Sequence, residues 1–522
     1  MGKYNNLKMS RRNMVLSLGF GLGLPSFLSA CGGKKQVEKG VLRVALNGGP
    51  DSLDPLRAEF AIADLLFRQF LLPVVGYGDD GKPSNQFSIA QSWSANPDFT
   101  LWTFKIKPNL KWSDGSPLGA NDVVESLQKS ADYKTAYPNA PELYNIKNYQ
   151  NVNLKKGDPK TIGVKQIGAD IVEINLEGPD AGFAGRMQEF YPIPVAAINK
   201  YGEQWTNIDK IVVSGPFIPK IYTQTRIRFE KNELGGWAAP MPIAINIEAV
   251  DDPATRIRMF EAGDIDLAQD PALLRYSILE SKLGDKFKRV NAPRFIYMSM
   301  NTKKPQLSNP LVRKALSMAF NRNIVSHNIF RDAVHPATRF LRDQPPIKPD
   351  VAGAKAIMEK LGYSATNPLR FELIVTKDER ERAAVEIANE WKQIWVEATI
   401  GTVESSAISA RLNGFDFDCA IVRVDKGMKS DPVDLMGSFA TGGNAYSHQW
   451  HNKDFDAALE KVRGIGDPVK RLEALKVAEK YLLDEVPIMP IWFGDGAWLQ
   501  SEKVTGGYKN MQPIIWPSLK MG

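Results

Sequence analysis

Residues 102–123 read WTFKIKPNLKWSDGSPLGANDV, and the order of residue types along them restricts the fold the chain can adopt. Trp102, Phe104 and Ile106 alternate with Thr103 and Lys105, the two-residue period of a strand with one buried face. Pro108, which has no N–H to give to a ladder, ends the strand. An aromatic returns at Trp112, Asp114-Gly115 turns the chain toward Pro117, and Asn121-Asp122 supply side-chain acceptors at a helix start, so a helix opens at Val123. Strand, turn and capped helix make an αβ junction, which specifies architecture and carries no function by itself.

The same alternation recurs outward from this stretch. Val41 to Ala45 reads as a strand that Gly48-Gly49-Pro50 breaks, and Gly78-Asp79-Asp80-Gly81-Lys82-Pro83 reads as a hairpin turn. Residues 131–165 mix Tyr, Asn, Pro and Lys without a period and are expected to be loops. Ile243 to Val250 is a strand and Pro253 to Ala262 a helix, with Gly263 at the helix end. Ile296 to Asn301 is a strand, and Pro310 to Arg322 carries apolar residues at helical spacing behind Asn309, a good cap. The run Phe417 to Val422 alternates so as to make Cys419 a buried strand thiol. No glycine-rich phosphate loop accompanies these βα units, so they imply no nucleotide site.

At 522 residues the chain is several times a typical domain, and 43% hydrophobic residues supply an ample core, so more than one globular body is expected. The formal charge of +7 includes Lys3, Lys8, Arg11 and Arg12; removing these four leaves 62 basic against 59 acidic residues, spread without a basic block, which argues against nucleic acid as a partner. The N-terminus explains their removal. Basic residues precede an apolar run from Met14 to Leu28, too short and glycine-rich to span a bilayer, and Leu28-Ser29-Ala30-Cys31 resembles a lipobox. Residues 1–30 are thus expected to be a lipoprotein signal peptide, Cys31 the acylated residue, and 31–40 a flexible tether. Each buried acyl methylene contributes about 0.8 kcal/mol to membrane affinity. Ser10-Arg11-Arg12 also resembles a twin-arginine export motif. With Cys31 an anchor, only Cys419 remains, and no disulfide framework is possible.

Taken in order, the motifs resemble bacterial extracellular solute-binding proteins of the oligopeptide, dipeptide and nickel class, family 5. Their usual pattern, tFkLRpgvkFsDGtPltAeDVv, matches residues 103–124 without a gap; Lys107 stands where Arg is usual and Asn121 where Glu is usual. Ser52 to Pro55 resembles their SLDP, Val213 to Phe217 their GTGPY, Asn232 and Trp237 their asparagine and aromatic, and Gly263 to Asp266 their aGeiDia. Val312 to Arg322 resembles their VRxAlxxAidR, Asn452, Phe455, Asp456 and Leu459 their Nxx[FV]DxL, and Arg471, Glu479, Glu485, Pro487 and Pro490 their last run. The resemblance implies an α/β fold of two lobes closing like a flytrap, as in periplasmic binding proteins, with an additional small domain. It implies lobe I from 41–78, 198–292 and 488–522, the small domain from 79–197, and lobe II from 293–487. It further implies a non-enzymatic, monomeric component of an ABC importer, outside the cytoplasm. Such a component captures a peptide or other small polar solute and delivers it to permease and ATPase subunits.

The ligand set expected from this resemblance is Gly49, Pro50, Asp51, Arg423, Asp425, Asn444, Tyr446 and Trp450. In peptide binders an aspartate shortly before an acid-proline pair, here Asp431-Pro432, takes the peptide α-amine; that place falls near Gly427 or Met428, whose side chains accept no strong hydrogen bond. Arg423 and Asp425 share one strand face, so they either contact a charged ligand or pair with each other at the surface. A competing reading is a metal-dependent surface hydrolase using His448 and His451, an HxxH with Asp454 nearby; a third is a ligand-binding sensor or chaperone. That trio lies where a loop meets a helix, so a capping or surface role is preferred, with no catalytic residue, metal or cofactor expected. Trp93, Trp102 and Trp112 are expected to pack rather than bind.

Overall fold

The computed structural model describes residues 38–59, 61–78, 81–235, 241–425, 431–443, 445–506 and 516–522; the side chains at 61, 235, 291–293, 405–406 and 425 also fall outside it. The signal peptide, Cys31, Trp237, Gly427, Met428 and Asn444 therefore lie outside the described residues.

The stretch 102–123 folds as its pattern requires. Leu101–Ile106 is a strand that buries Trp102, Phe104 and Ile106, and it pairs antiparallel with Ala90–Ala95 on one side and Ile171–Asn175 on the other. Lys107, at the family's arginine position, donates from Nζ to the carbonyls of Asn85 (2.6 Å) and Ser88 (2.8 Å), a task for which any long cation serves. Asp114 accepts the Ser116 amide at 2.9 Å, and Gly115 takes φ +87°, which strains a side chain. The helix begins earlier than expected, at Ala120–Ala131, because Asp122 reaches back to the Gly119 amide (2.8 Å) and also accepts Trp112 Nε1 (3.1 Å).

One mixed sheet runs through both lobes. In lobe I the parallel strands Val41–Leu46, Ala244–Ala249 and Leu267–Gln269 lie side by side, flanked by the antiparallel Arg226–Lys231 and Phe217–Tyr222. In lobe II the parallel strands are Leu369–Thr376, Val396–Val403 and Cys419–Asp425. Two long antiparallel strands, Phe287–Met300 and Ile488–Gln500, join the halves. One end of this pair meets Leu267–Gln269, the other Cys419–Asp425, and the register slips between Val290 and Arg294. The reading of Ile296 to Asn301 as a short strand thus captured only its second half; the first half, with Lys288 and Arg289, has no alternation strong enough to be seen. A separate four-stranded sheet lies within residues 90–175, and its apolar face merges with that of lobe I: Phe104, Leu127 and Phe183 share one core with Leu42, Phe70 and Ile245.

Residues 131–165 are a correction. They form short helices, Ala140–Leu143, Tyr149–Lys155 and Pro159–Thr161, and Tyr137, Ile146 and Tyr149 are buried. The elements are too short to display a period, yet tertiary packing holds them. The helix expected from Pro310 to Arg322 stops at Ala319, behind Asn309, which accepts the Leu311 amide at 2.9 Å. Phe320 is extended, and Arg322 caps the end by donating to the carbonyls of Ser317 (2.7 Å) and Phe320 (2.9 Å).

Candidate functional site in the interlobe cleft

In open α/β sheets ligands bind beyond the carboxyl ends of the parallel strands. In lobe I these ends are Leu46, Ala249 and Gln269, followed by the loops bearing Gly49, Pro50, Asp51, Asp251 and Asp270. The buried Arg256 shapes this rim from beneath, donating to the carbonyls of Gln269 (2.8 Å), Asp251 (2.9 Å) and Asp270 (2.8 Å) and to that of Val250. A side chain on Gly49 would meet the Gln224 carbonyl at 2.7 Å, so only glycine fits. Pro50 accepts Tyr222 Oη at 3.0 Å, and Asp51 accepts the Glu59 amide at 2.6 Å, which orders the loop. Asp270 pairs with Arg294 of the first long strand at 2.6 Å, tying the lobe I rim to the passage between lobes.

The lobe II side offers a cavity of about 410 Å³ lined by Tyr297, Phe415, Val422, Arg423, Val424 and Tyr446, among others. Register explains how it is built. Tyr297 stands opposite Val422 and Phe295 opposite Val424, so that face of Cys419–Asp425 is apolar, while the exposed Arg423 adds a cation. The main wall is therefore the face carrying Val422 and Val424, opposite to the face that alternation alone assigned to the cleft. Arg423 and Tyr446 do line one cavity; Tyr297 and Phe415 join them from segments that sequence reading left aside. Their only local signal was an aromatic on a strand and one after a helix.

Other expected ligand residues stand elsewhere. Trp450 is buried, its Nε1 donating to Glu485 Oε2 at 2.6 Å, below the aromatic cluster that includes His448. Asp425 ends its strand, with a side chain outside the described residues. Asp431 caps the helix Pro432–Gly437 through the Val433 amide (3.0 Å).

The HxxH pair does not converge. His451 is exposed and hydrogen-bonds through Nδ1 to Thr441 Oγ1 at 2.6 Å, while His448 is fully buried among Phe439, Tyr446 and Trp450. The surface role preferred from sequence therefore suits His451 and is corrected for His448; Asn452 provides the cap, accepting the amides of Asp454 and Phe455 at 3.0 Å each. His448 Nδ1 accepts the Trp450 amide at 3.0 Å, which places the ring proton on Nε2, and burial pushes its pKa down to about 3. Among the described residues no three His, Cys, Asp or Glu side chains gather into a metal site. Cys419 is a buried thiol whose pKa burial pushes up, unsuited to nucleophilic chemistry. No helix among the described residues is long and apolar enough to cross a membrane.

Comparison with known proteins bears on the fold and the family. The probable deoxycholate-binding periplasmic protein YgiS of Escherichia coli is 27% identical over 87% of this chain and 88% of its own. The oligopeptide-binding protein OppA of Bacillus subtilis is 27% identical over 92% and 94%. Among solved structures, the Escherichia coli murein tripeptide binding protein MppA superposes with a TM-score of 0.78, covering 93% of this chain and 99% of MppA at 23% identity, which speaks to the fold. These relatives are binding proteins, and the hydrolase reading falls with that. The family model for bacterial extracellular solute-binding proteins, family 5, matches residues 86–447, well over half of the chain, and the protein belongs to that family.

Proposed function

We propose that the protein is the extracytoplasmic, lipid-anchored solute-binding component of an ABC importer, taking a peptide or other small polar solute into the cleft between its lobes and handing it to a membrane permease. The observation that carries this reading is a lobe II cavity that adds Arg423 to an aromatic and aliphatic wall, while the loops beyond the lobe I strand ends bear Asp51 and Asp251. Carboxylates on one side and a guanidinium on the other suit a zwitterion, and the apolar wall suits its side chains. Lobes joined by two strands can close on such a ligand, and ligand binding then selects the closed form that a permease recognises. Anchoring through Cys31 and localisation outside the cytoplasm rest on the N-terminal pattern and on relatives whose names place them in the periplasm. Lobe boundaries at 78, 197, 292 and 487, and a monomeric state, belong to the same proposal.

A second reading follows from the lining itself. Tyr297, Phe415, Val422 and Val424 beside one arginine also suit an amphipathic carboxylate, the chemistry named in the deoxycholate-binding relative. Mass spectrometry of ligand carried through a native purification, followed by calorimetry with tripeptides, N-acetylated tripeptides and deoxycholate, separates the two. Arg423→Gln is expected to weaken binding of either anion by roughly 2 kcal/mol, about thirtyfold, with the melting temperature of the empty protein unchanged. Wild-type affinity in Arg423→Gln would return that side chain to the surface. Tight binding lost on N-acetylation would show that an amine clamp exists after all.

A further inference from the structure

The small domain touches lobe II at the helix Pro432–Gly437, which leads into Gly442 and Gly443 at the edge of the ligand cavity. It moves as one body with lobe I, since Trp102, Phe104, Leu127 and Phe183 share an apolar core with Leu42, Phe70 and Ile245. Lobe II is connected to that body through the two long strands, so any contact between the small domain and lobe II is made and broken as the lobes close and open. Residues 178–186 make such a contact. Arg186, whose side chain is only 8% exposed, donates from Nε to Asp180 Oδ2 at 2.7 Å and reaches Glu142 Oε2 at 3.3 Å, both in its own domain. Its remaining nitrogen crosses to Asp434 Oδ1 of the lobe II helix Pro432–Gly437 at 2.9 Å. Beside it the Ala181 amide donates to the Arg463 carbonyl at 2.7 Å. The surfaces are fitted closely: a Cβ on Gly464 would stand 3.1 Å from Pro179, and one on Gly466 would stand 2.4 Å from the Phe99 ring.

The charges are arranged so that both halves survive separation. When the contact opens, Arg186 keeps Asp180 and Glu142, Asp434 keeps Arg463 at 3.7 Å, and Asp431 keeps Arg471, so no buried charge is stranded. Such duplication lets the contact open without leaving a buried charge unpaired. We infer that residues 178–186 are a clasp by which the small domain holds lobe II closed, with Arg186 a positioning residue that sets ligand affinity without touching the ligand. This rests on the reading of the cleft as a closing ligand site and assigns the small domain its part in that closure. Because the crossing bond joins partly buried charges, closing strength should fall with salt less than an exposed pair's would, yet depend on Asp434 as strongly as on Arg186.

The test uses the mature chain with spin labels at Lys160→Cys in the small domain and Lys470→Cys in lobe II, both exposed positions. Pulsed electron resonance records the distance distribution in empty protein and along a titration with trialanine. The expected result is that the population at the shorter of two distances grows with peptide. Arg186→Gln and Asp434→Asn should each lower the short-to-long ratio about tenfold and raise the half-closing peptide concentration by a similar factor. The double variant should do no worse than either single one, and Arg186→Lys should recover most of the loss. Asp434→Asn leaves the small domain's own ion pairs intact, so it keeps the test valid should Arg186→Gln unfold that domain. Unaltered ratios in both single variants, against a wild type that moves between two distances, overturn the clasp. A wild type fixed at one distance in trialanine and in deoxycholate alike overturns the closing cleft itself, and the clasp with it.

Discussion

Most residues that carry the family pattern turn out to hold the frame. Arg313 donates to the carbonyls of Glu485 (2.9 Å), Val486 (3.2 Å), Leu307 (2.8 Å) and Ser308 (3.0 Å), tying three segments together. Glu479, 1% exposed, accepts the amides of Phe340 (2.8 Å) and Leu341 (2.9 Å) and pairs with Arg339. Asp266 of the Gly-Asp-Ile-Asp run is likewise buried against Arg43 at 2.7 Å; removing one partner of such a pair costs about 3–5 kcal/mol. His448 is the buried group with the clearest pH consequence. Its pKa is about 3 folded and the usual 6.5 unfolded, so the unfolded chain binds the extra proton between these values. The stability that neutral His448 contributes is thus complete above pH 6.5 and is lost as pH falls toward 3, at most about 1.4 kcal/mol per pH unit. Urea unfolding at pH 7, 5.5 and 4.5 should show this slope in wild type and a shallower one in His448→Leu. That variant should also start roughly 1–3 kcal/mol lower, because the buried Trp450 amide loses its acceptor. Equal slopes would mean that the folded protein leaves the ring as easy to protonate as the unfolded chain does.

At the scale of elements, the small domain is stitched to lobe I by segments that the sequence presents as separate motifs. Val213 donates its amide to Ser113 Oγ (3.0 Å) and accepts the Ser113 amide (2.8 Å), which joins the Val213-to-Phe217 run to the turn after Trp112. Asn232 Nδ2 donates to the Gly215 carbonyl at 2.9 Å, and the Gly215 amide donates to Phe70 at 2.8 Å. A Cβ at Gly215 would lie 2.4 Å from the Phe70 carbonyl carbon and 2.7 Å from the Leu71 nitrogen, both backbone atoms that cannot swing aside. Gly215→Ala is therefore expected to destabilise by roughly 3 kcal/mol or more. Gly263→Ala is the comparison: its φ of +75° strains a side chain, but nothing lies within 4 Å, so the cost should be only about 1–2 kcal/mol. Denaturant melts of the two variants check this, and a Gly215→Ala protein as stable as Gly263→Ala would mean that the stitch can relax.

For the whole molecule, the proposed role in import asks for a binding lobe pair that can open, and the proposed leash would keep it at the membrane. The leash prediction stands on Leu28-Ser29-Ala30-Cys31 and the polar Gly32-Gly33-Lys34-Lys35 that follows. Cys31→Ser should move the protein from the membrane fraction to the soluble fraction, since no helix among the described residues could hold it there in place of acyl chains. Unchanged partition after high-salt and carbonate washing would assign membrane attachment to another part of the chain.

Local pattern sufficed for the αβ units, the capped helix at Asn309, the glycine at 263 and the buried thiol at Cys419, because each depends on residues a few positions apart. The ordered series of motifs further placed the chain in its family, since those motifs are the carbonyl-capping arginines, buried acids and close-approach glycines without which two lobes cannot be assembled. The ligand wall was not legible in the same way. Tyr297 and Val422 meet only through strand register, and one step of phase decides which face of Cys419–Asp425 the cavity uses. The clasp was less legible still: Arg186 and Asp434 are 248 residues apart, each an ordinary charge in its own segment. Only the folding of lobe I and the small domain into one body, set against lobe II across two strands, brings them within a hydrogen bond.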